Sequence, residues 1–375
     1  MKRLRVLALC IVTFVLCMGN IQGCLPGDSE FREPAALVAS ADQLTTTDIS
    51  AVLAAPIKSG RNVLWCGSFQ LAWNEACKLA GGALQFQPPV PPLATILNQR
   101  DFDSTDLDAD SYVATAGYVR DGIVQKIAPL LQQKFHGHAH PHLAQDGSAF
   151  PSPNDIVAYC YLYQNLVFPK PFERLDDPLP FDGHDTACFG MGSYKPGHEP
   201  MAGEVSILDY RGENDFIIEL KTQSPGEHLI LAKISPGATL ADTVGAVQQR
   251  IAAGKPVAAE PADLLEIPKM NFDISRNYDE LCGVPLLPSA AGMASGLRIV
   301  SAEQDTRFLM DEKGVQLRSE SNLSFGCAAE EMPRPTHLLI FDRPFLVTLT
   351  HTGAHLPYFA LWIGNADLLV GAGSH

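Results

Sequence analysis

Residues Leu339 to Leu349 read LIFDRPFLVTL. Leu339-Ile340-Phe341 is an apolar run of strand type, Asp342-Arg343-Pro344 is reversal chemistry, and Phe345 to Leu349 is a second apolar run with β-branched residues. A third apolar run follows at Tyr358-Phe359-Ala360-Leu361-Trp362-Ile363 and closes on Gly364. Three strands this close to the end of a long chain, each apolar on successive positions, predict buried sheet positions rather than a half-wet edge.

Working outward, similar islands occur in order. Asp311-Glu312-Lys313-Gly314 is an acidic turn ending in Gly. Leu265-Glu266-Ile267-Pro268-Lys269-Met270-Asn271-Phe272 precedes Tyr278-Asp279 and Leu281-Cys282-Gly283, and Tyr161-Leu162-Tyr163 with Phe168 and Pro171-Phe172 lies mid-chain. Taken with the tail, these islands resemble the serpins, the fold of the serine protease inhibitors, in a divergent and shortened bacterial-type version. The resemblance implies an α+β domain with a large mixed sheet, a second antiparallel sheet holding the C-terminal strands, surrounding helices, and an exposed reactive-type loop at roughly 319 to 338. Asn62-Val63-Leu64-Trp65-Cys66-Gly67 resembles the family's strand-to-helix junction, which leads into a helix over Ser68 to about Ala80. Only about thirty residues separate that helix from one expected near Tyr112, so one sheet edge is expected to be trimmed.

Length and composition fit one large domain: 375 residues, 46% hydrophobic, and no solenoid period. Lys2, Arg3 and Arg5 before the apolar run Val6 to Met18 predict a signal peptide over 1–23. Ile21-Gln22-Gly23-Cys24 resembles a lipobox, which makes Cys24 the lipidation site, 24–45 a tether and 46–375 the serpin-like domain. The chain is then exported, lipid-anchored in the cell envelope or extracellular, and meets a membrane only through that lipid, because no later segment is long and apolar enough to span. Without the first 23 residues, 24 Lys+Arg face 42 Asp+Glu, a net charge of −18, which argues against nucleic acid as a partner.

Six cysteines follow Cys24, none in a CxxC spacing. The resemblance puts Cys66 and Cys160 at two neighbouring positions of a buried network and so implies a Cys66–Cys160 disulfide; two buried free thiols are the other reading. Further replacements, Phe69 and Gln304, suggest that this polar network has given way to packing or a cross-link.

Serpin inhibition is a case of strand addition: the cut loop enters its own sheet with the protease still attached. The resemblance makes Glu312, Gly314, Val315 and Leu317 the hinge and Val315 to Phe325 the inserting strand. Here the residues speak for themselves. Val315, Leu317, Ser319, Ser321, Leu323 and Phe325 fall on one face, while Gln316, Arg318, Glu320, Asn322 and Ser324 fall on the other, a period of two with every charge on one side. Counting from Gly314 as in the family places the reactive bond at Ala328-Ala329, with Arg334 as a rival. A small-residue bond implies an elastase-like or subtilisin-like serine protease as partner and a monomer as the acting species. Bulky, charged Leu317, Arg318 and Glu320 keep a second reading open, a non-inhibitory binding or structural module.

No GxSxG, HExxH or phosphate-cradling loop occurs, so no enzyme and no cofactor is inferred. His136, His138, His140 and His142 alternate in a Gly/Pro loop between a helix expected over Val119 to Gln133 and a strand from Asp155. Imidazoles so spaced can take zinc, copper or nickel, but without a fixed set of ligands no metal is assigned.

Overall fold

The computed structural model describes residues 36–136, 152–195, 197–288, 297–315 and 334–373. In chain order its strands are β1 (Leu37–Ser40), β2 (Thr47–Ser50), β3 (Asn62–Cys66), β4 (Tyr112–Tyr118), β5 (Ile156–Leu162), β6 (Leu166–Val167), β7 (Glu173–Phe181), β8 (His184–Met191), β9 (Val205–Gly212), β10 (Asp215–Leu220), β11 (Glu227–Lys233), β12 (Val257–Ala258), β13 (Leu264–Pro268), β14 (Met270–Asn277), β15 (Glu303–Asp311), β16 (Gly314–Val315), β17 (Leu338–Ile340), β18 (Phe345–His351) and β19 (Phe359–Ile363). The α-helices are α1 (Ser68–Ala80), α2 (Pro92–Leu97), α3 (Ile123–Phe135), α4 (Glu199–Ala202) and α5 (Leu240–Ala253).

The tail does what its composition demands. β18 and β19 pair antiparallel in the interior of an eight-stranded sheet ordered β12-β9-β10-β11-β18-β19-β3-β2, and every residue of Phe345 to Leu349 and of β19 is buried. Asp342-Arg343-Pro344 is not a hairpin turn. It carries the chain from β17, in a four-stranded sheet ordered β17-β13-β8-β7, across to β18. A third sheet runs β1-β14-β15-β16-β6, and β4 pairs with β5 in a two-stranded ladder. One core joins them, with Phe341 and Phe345 wholly buried between the sheets and their rings 5.0 Å apart.

Several expectations shift. The run from Leu265 to Phe272 is two strands, broken at Lys269: β13 belongs to the four-stranded sheet and β14 to the five-stranded one. The helix expected near Tyr112 is β4, which pairs along its whole length with β5 and packs near α1. The later helix starts at Ile123, after a left-handed Gly122, and runs to Phe135. The chain also joins the fold before residue 46, since β1 pairs in parallel with β14 and Arg276 reaches Asp42. β1 and β2 thus edge two different sheets. Among the described residues no helix is long and apolar enough to cross a membrane.

Candidate functional site

The segment expected to act as a hinge forms a tight turn between two paired strands. β15 rises to Asp311, turns through Glu312-Lys313, and returns as β16, with Asp311 opposite Gly314 and Met310 opposite Val315. On its other side β16 pairs antiparallel with β6, Gly314 opposite Val167 and Val315 opposite Leu166. The first two residues after the turn therefore already lie between two strands. Gly is required there: its φ is +140°, and a Cβ would stand 2.2 Å from the Leu166 carbonyl oxygen.

The turn is pinned from three directions. Lys269 makes an ion pair with Glu312, both side chains largely buried. Phe172 N–H donates to the Glu312 carbonyl at 2.8 Å and Phe168 N–H to the Lys313 carbonyl at 2.9 Å. Burial alone would raise the Glu312 carboxyl, but the charge and hydrogen bond of Lys269 carry it below its ordinary value. Asp311 next to it is pushed up, by burial first and by Glu312 second. Behind the Phe168–Phe172 loop, whose two rings meet edge-on at 5.0 Å, lies Glu204. This carboxylate is 7% exposed, with one oxygen unpartnered among the described residues. Burial raises it to about 7 against the pull of the Lys170 backbone N–H and the Lys170 and Lys221 charges.

Further down β15, Gln304 completes a buried polar network. Its amide nitrogen donates to the Cys66 carbonyl at 2.9 Å and to Ser68 Oγ at 3.0 Å, while Tyr278 O–H donates to its oxygen at 2.8 Å. Ser68 O–H in turn points at Cys66 Sγ, 3.6 Å away. The expected abandonment of this network is thus corrected: Gln304 satisfies it. Nor are the cysteines bridged. Cys66 and Cys160 are free thiols, Cys66 engaged by Ser68 and Cys160 carried on β5, a strand of a different ladder. Burial raises both thiols, and proximity to Cys66 raises Cys160 further.

The far root of the loop is equally fixed. Asp263, 0% exposed, accepts the backbone N–H groups of Thr336 (3.1 Å), His337 (2.7 Å) and Glu260 (2.8 Å), and its Oδ2 lies 2.9 Å from His337 Nδ1. β17 then pairs in parallel with β13. At its end the buried Lys233 Nζ donates to the Ile340 carbonyl at 2.8 Å, to Asp342 at 2.5 Å and to the Glu213 carbonyl at 2.9 Å. The exposed loop expected over 319 to 338 is therefore fixed from Thr336 onward. Sequence reading missed Asp263 and Lys233, whose partners stand 74 and 107 residues away; an acid immediately before a strand was the one available hint.

The structure brings Glu312, Gly314 and Val315 together with Lys269. Leu317, Ala328, Ala329, Cys24, and His138, His140 and His142 lie outside the described residues, as does most of the inserting strand, while the rival Arg334 is described and exposed.

No family model and no curated protein matches this chain. Among solved structures it is similar to Serpin48 of the insect Tenebrio molitor, at 11% identity and a TM-score of 0.47 over 82% of this chain and 92% of that one. It is also similar to human thyroxine-binding globulin complexed with thyroxine, at 11% identity and a TM-score of 0.49 over 82% and 92% of the two chains. Manduca sexta serpin-12 gives 13% identity and a TM-score of 0.47 over 81% and 92%. The α+β architecture itself rests on this chain's own elements, three larger sheets, a two-stranded ladder and five α-helices among the described residues.

Proposed function

We propose that this chain is an exported, lipid-anchored inhibitor of a serine-type endopeptidase, acting by cleavage of the loop after Gly314 and insertion of the cut strand beside β15. The observation that carries this reading is the position of Gly314–Val315, already paired on both sides at the head of the sheet. Beyond them, no strand of the described residues covers Thr306 to Leu309 on that edge. Continuing the register of β16 down β15 would set Leu317 opposite Phe308, Ser319 opposite Thr306 and Ser321 opposite Gln304, all buried positions of β15. The alternation in the sequence and the burial pattern of β15 thus agree in phase.

The same continued register would set Arg318 opposite Arg307 and Glu320 opposite Asp305, both exposed positions of β15. Each like-charged pair opposes insertion by about 0.2–1 kcal/mol, offset in part by the Arg–acid diagonals. This observation favours slow insertion and supports the second reading, a serpin-fold module that is cut without trapping its protease.

Incubation with an elastase-type or subtilisin-type protease, followed by denaturing gel and intact mass, tests the proposal. An inhibitor gives a denaturant-resistant complex with cleavage at Ala328-Ala329. Cleavage without a complex but with a higher melting midpoint supports the slow module; cleavage with no gain in midpoint refutes insertion altogether.

A further inference from the structure

We infer that Glu204 is a proton-operated wedge beneath the bend from Phe168 to Phe172, so that this bend and the turn it pins at Glu312–Lys313 close together in mildly acidic surroundings and loosen together at alkaline pH. The device acts on the seat of β16 and does not depend on the insertion proposed above.

The coupling is written into the bend, Phe168-Pro169-Lys170-Pro171-Phe172. Pro169 and Pro171 have no N–H, so only Phe168, Lys170 and Phe172 can donate from its backbone, and all of them do. Phe168 and Phe172 N–H reach the turn, at the carbonyls of Lys313 and Glu312. Lys170 N–H, between them, reaches the Glu204 carboxyl. The carbonyl side is held separately: Gln223 donates its backbone N–H to Val167 at 2.8 Å and its side-chain amide to Phe168 at 3.1 Å. Gln223 is uncharged, so it adds no pH dependence of its own. Moving Lys170 off Glu204 moves the donors beside it, because a proline fixes φ on either side.

Glu204 cannot follow the bend. Its N–H donates to the Met201 carbonyl at 3.0 Å and its carbonyl accepts the Lys221 N–H at 2.9 Å, at the head of β9 where Val205 is wholly buried. Its carboxyl is buried, with one oxygen unpartnered among the described residues. A neutral acid fits this place. An anion lacks a partner for that oxygen, and lifting the bend lets water supply one.

The charges around Glu204 set the direction of the response. Lys170 on the bend and Lys221 after β10 face it and ease the anion, but Lys221 Nζ is already engaged by the Gly203 carbonyl at 2.7 Å. On its own segment Glu199 accepts the Gly197 N–H, and His198 Nε2 lies 3.3 Å from Glu173, which Lys195 also bridges. Burial still raises Glu204 from 4.5 to about 7 with both facing lysines counted. Closure therefore carries no electrostatic cost in acid, and the cost grows until pH passes 7. In the turn, burial and then Glu312 push Asp311 up, in the same sense, against Lys269 and Lys313. Glu312 runs the other way: burial alone would raise it, but Lys269 holds it below its ordinary value, so that ion pair is lost only in stronger acid. Between these limits the seat is firmest.

Hydrogen exchange on the full chain at pH 5 and pH 8, each rate divided by the intrinsic rate at that pH, tests this on peptides covering 165–173 and 310–315. The open population of both is expected to rise about five- to thirtyfold from pH 5 to pH 8. Glu204→Gln should flatten the rise in 165–173, and Lys170→Gln, at an exposed side chain, should move its midpoint to higher pH. If Glu204→Gln does not fold, Lys170→Gln decides, since a merely structural Glu204 gives no shift of midpoint. Equal protection of wild type at both pH values, or an undiminished rise in Glu204→Gln, would overturn the wedge. A rise confined to 165–173, with 310–315 unmoved, would overturn its coupling to the turn.

Discussion

Replacing Gly314 by Ala probes the hinge at its tightest point. The added Cβ meets the Leu166 carbonyl oxygen at 2.2 Å and Val167 Cα at 2.9 Å, and both are backbone atoms that cannot rotate away. A φ of +140° is also foreign to alanine, which adds about 1–3 kcal/mol of strain. The chain can escape both by lifting β16 from β6, giving up a two-residue ladder worth about 1 kcal/mol per hydrogen bond. The local opening free energy should therefore fall by about 2–4 kcal/mol, a 30-fold to several-hundred-fold rise in the open population. Hydrogen exchange measured on peptides covering 166–168 and 310–315 reads this directly. The loss should be confined to those peptides, with the melting midpoint moved by no more than about 2 °C, because the core sheets are untouched. Unchanged protection at Val315 and Val167 would refute the tight seating of β16, and global destabilisation would refute its independence from the core.

Two further predictions concern buried groups. Glu204 is protonated up to about pH 7 in the fold, so its burial penalty is absent near pH 4.5, grows as pH rises through 7, and then stays. The ceiling is about 3 kcal/mol with the nearby lysines already counted, and screening by residual solvent reduces it to about 1–2 kcal/mol. Glu204→Gln should therefore gain that much on wild type between pH 5 and pH 8 in thermal melts at matched scan rate; a difference independent of pH would sink the assignment. Cys66, buried and with its thiol raised by that burial, should react with a thiol reagent at pH 8 only as fast as the protein unfolds, whereas Cys160 is partly exposed and should react sooner. Fast labelling of Cys66 in the native protein would contradict its packing, and mass loss of two hydrogens under non-reducing conditions would show that the thiols pair after all.

What could be read beforehand was what local chemistry determines. The α1 boundaries follow from the Gly67 and Gly81 that flank a helical run, and the burial of β18 and β19 follows from continuous apolar sequence. The turn into β16 was legible because Gly314 stands out after an acidic stretch. Misreadings came where tertiary pairing outweighs propensity. Alanines in β4 favour a helix in isolation, and only its ladder with β5, some forty residues later, makes it a strand. The single break at Lys269 that sends β13 and β14 to different sheets is marked locally only by Pro268, and the use of Gln304 to complete a network with Cys66 and Ser68 has no local mark. Asp263 and Lys233 were invisible for the same reason, since each is defined by partners that only the folded chain supplies.

The most direct test of insertion is a melt of the protein before and after a single cut in the loop between Val315 and Arg334. The cut chain, both fragments still associated, is expected to melt well above the intact one, and β15 amides from Thr306 to Leu309 to become protected from exchange. A cut chain that melts at or below the intact midpoint, with those amides no slower, would contradict it.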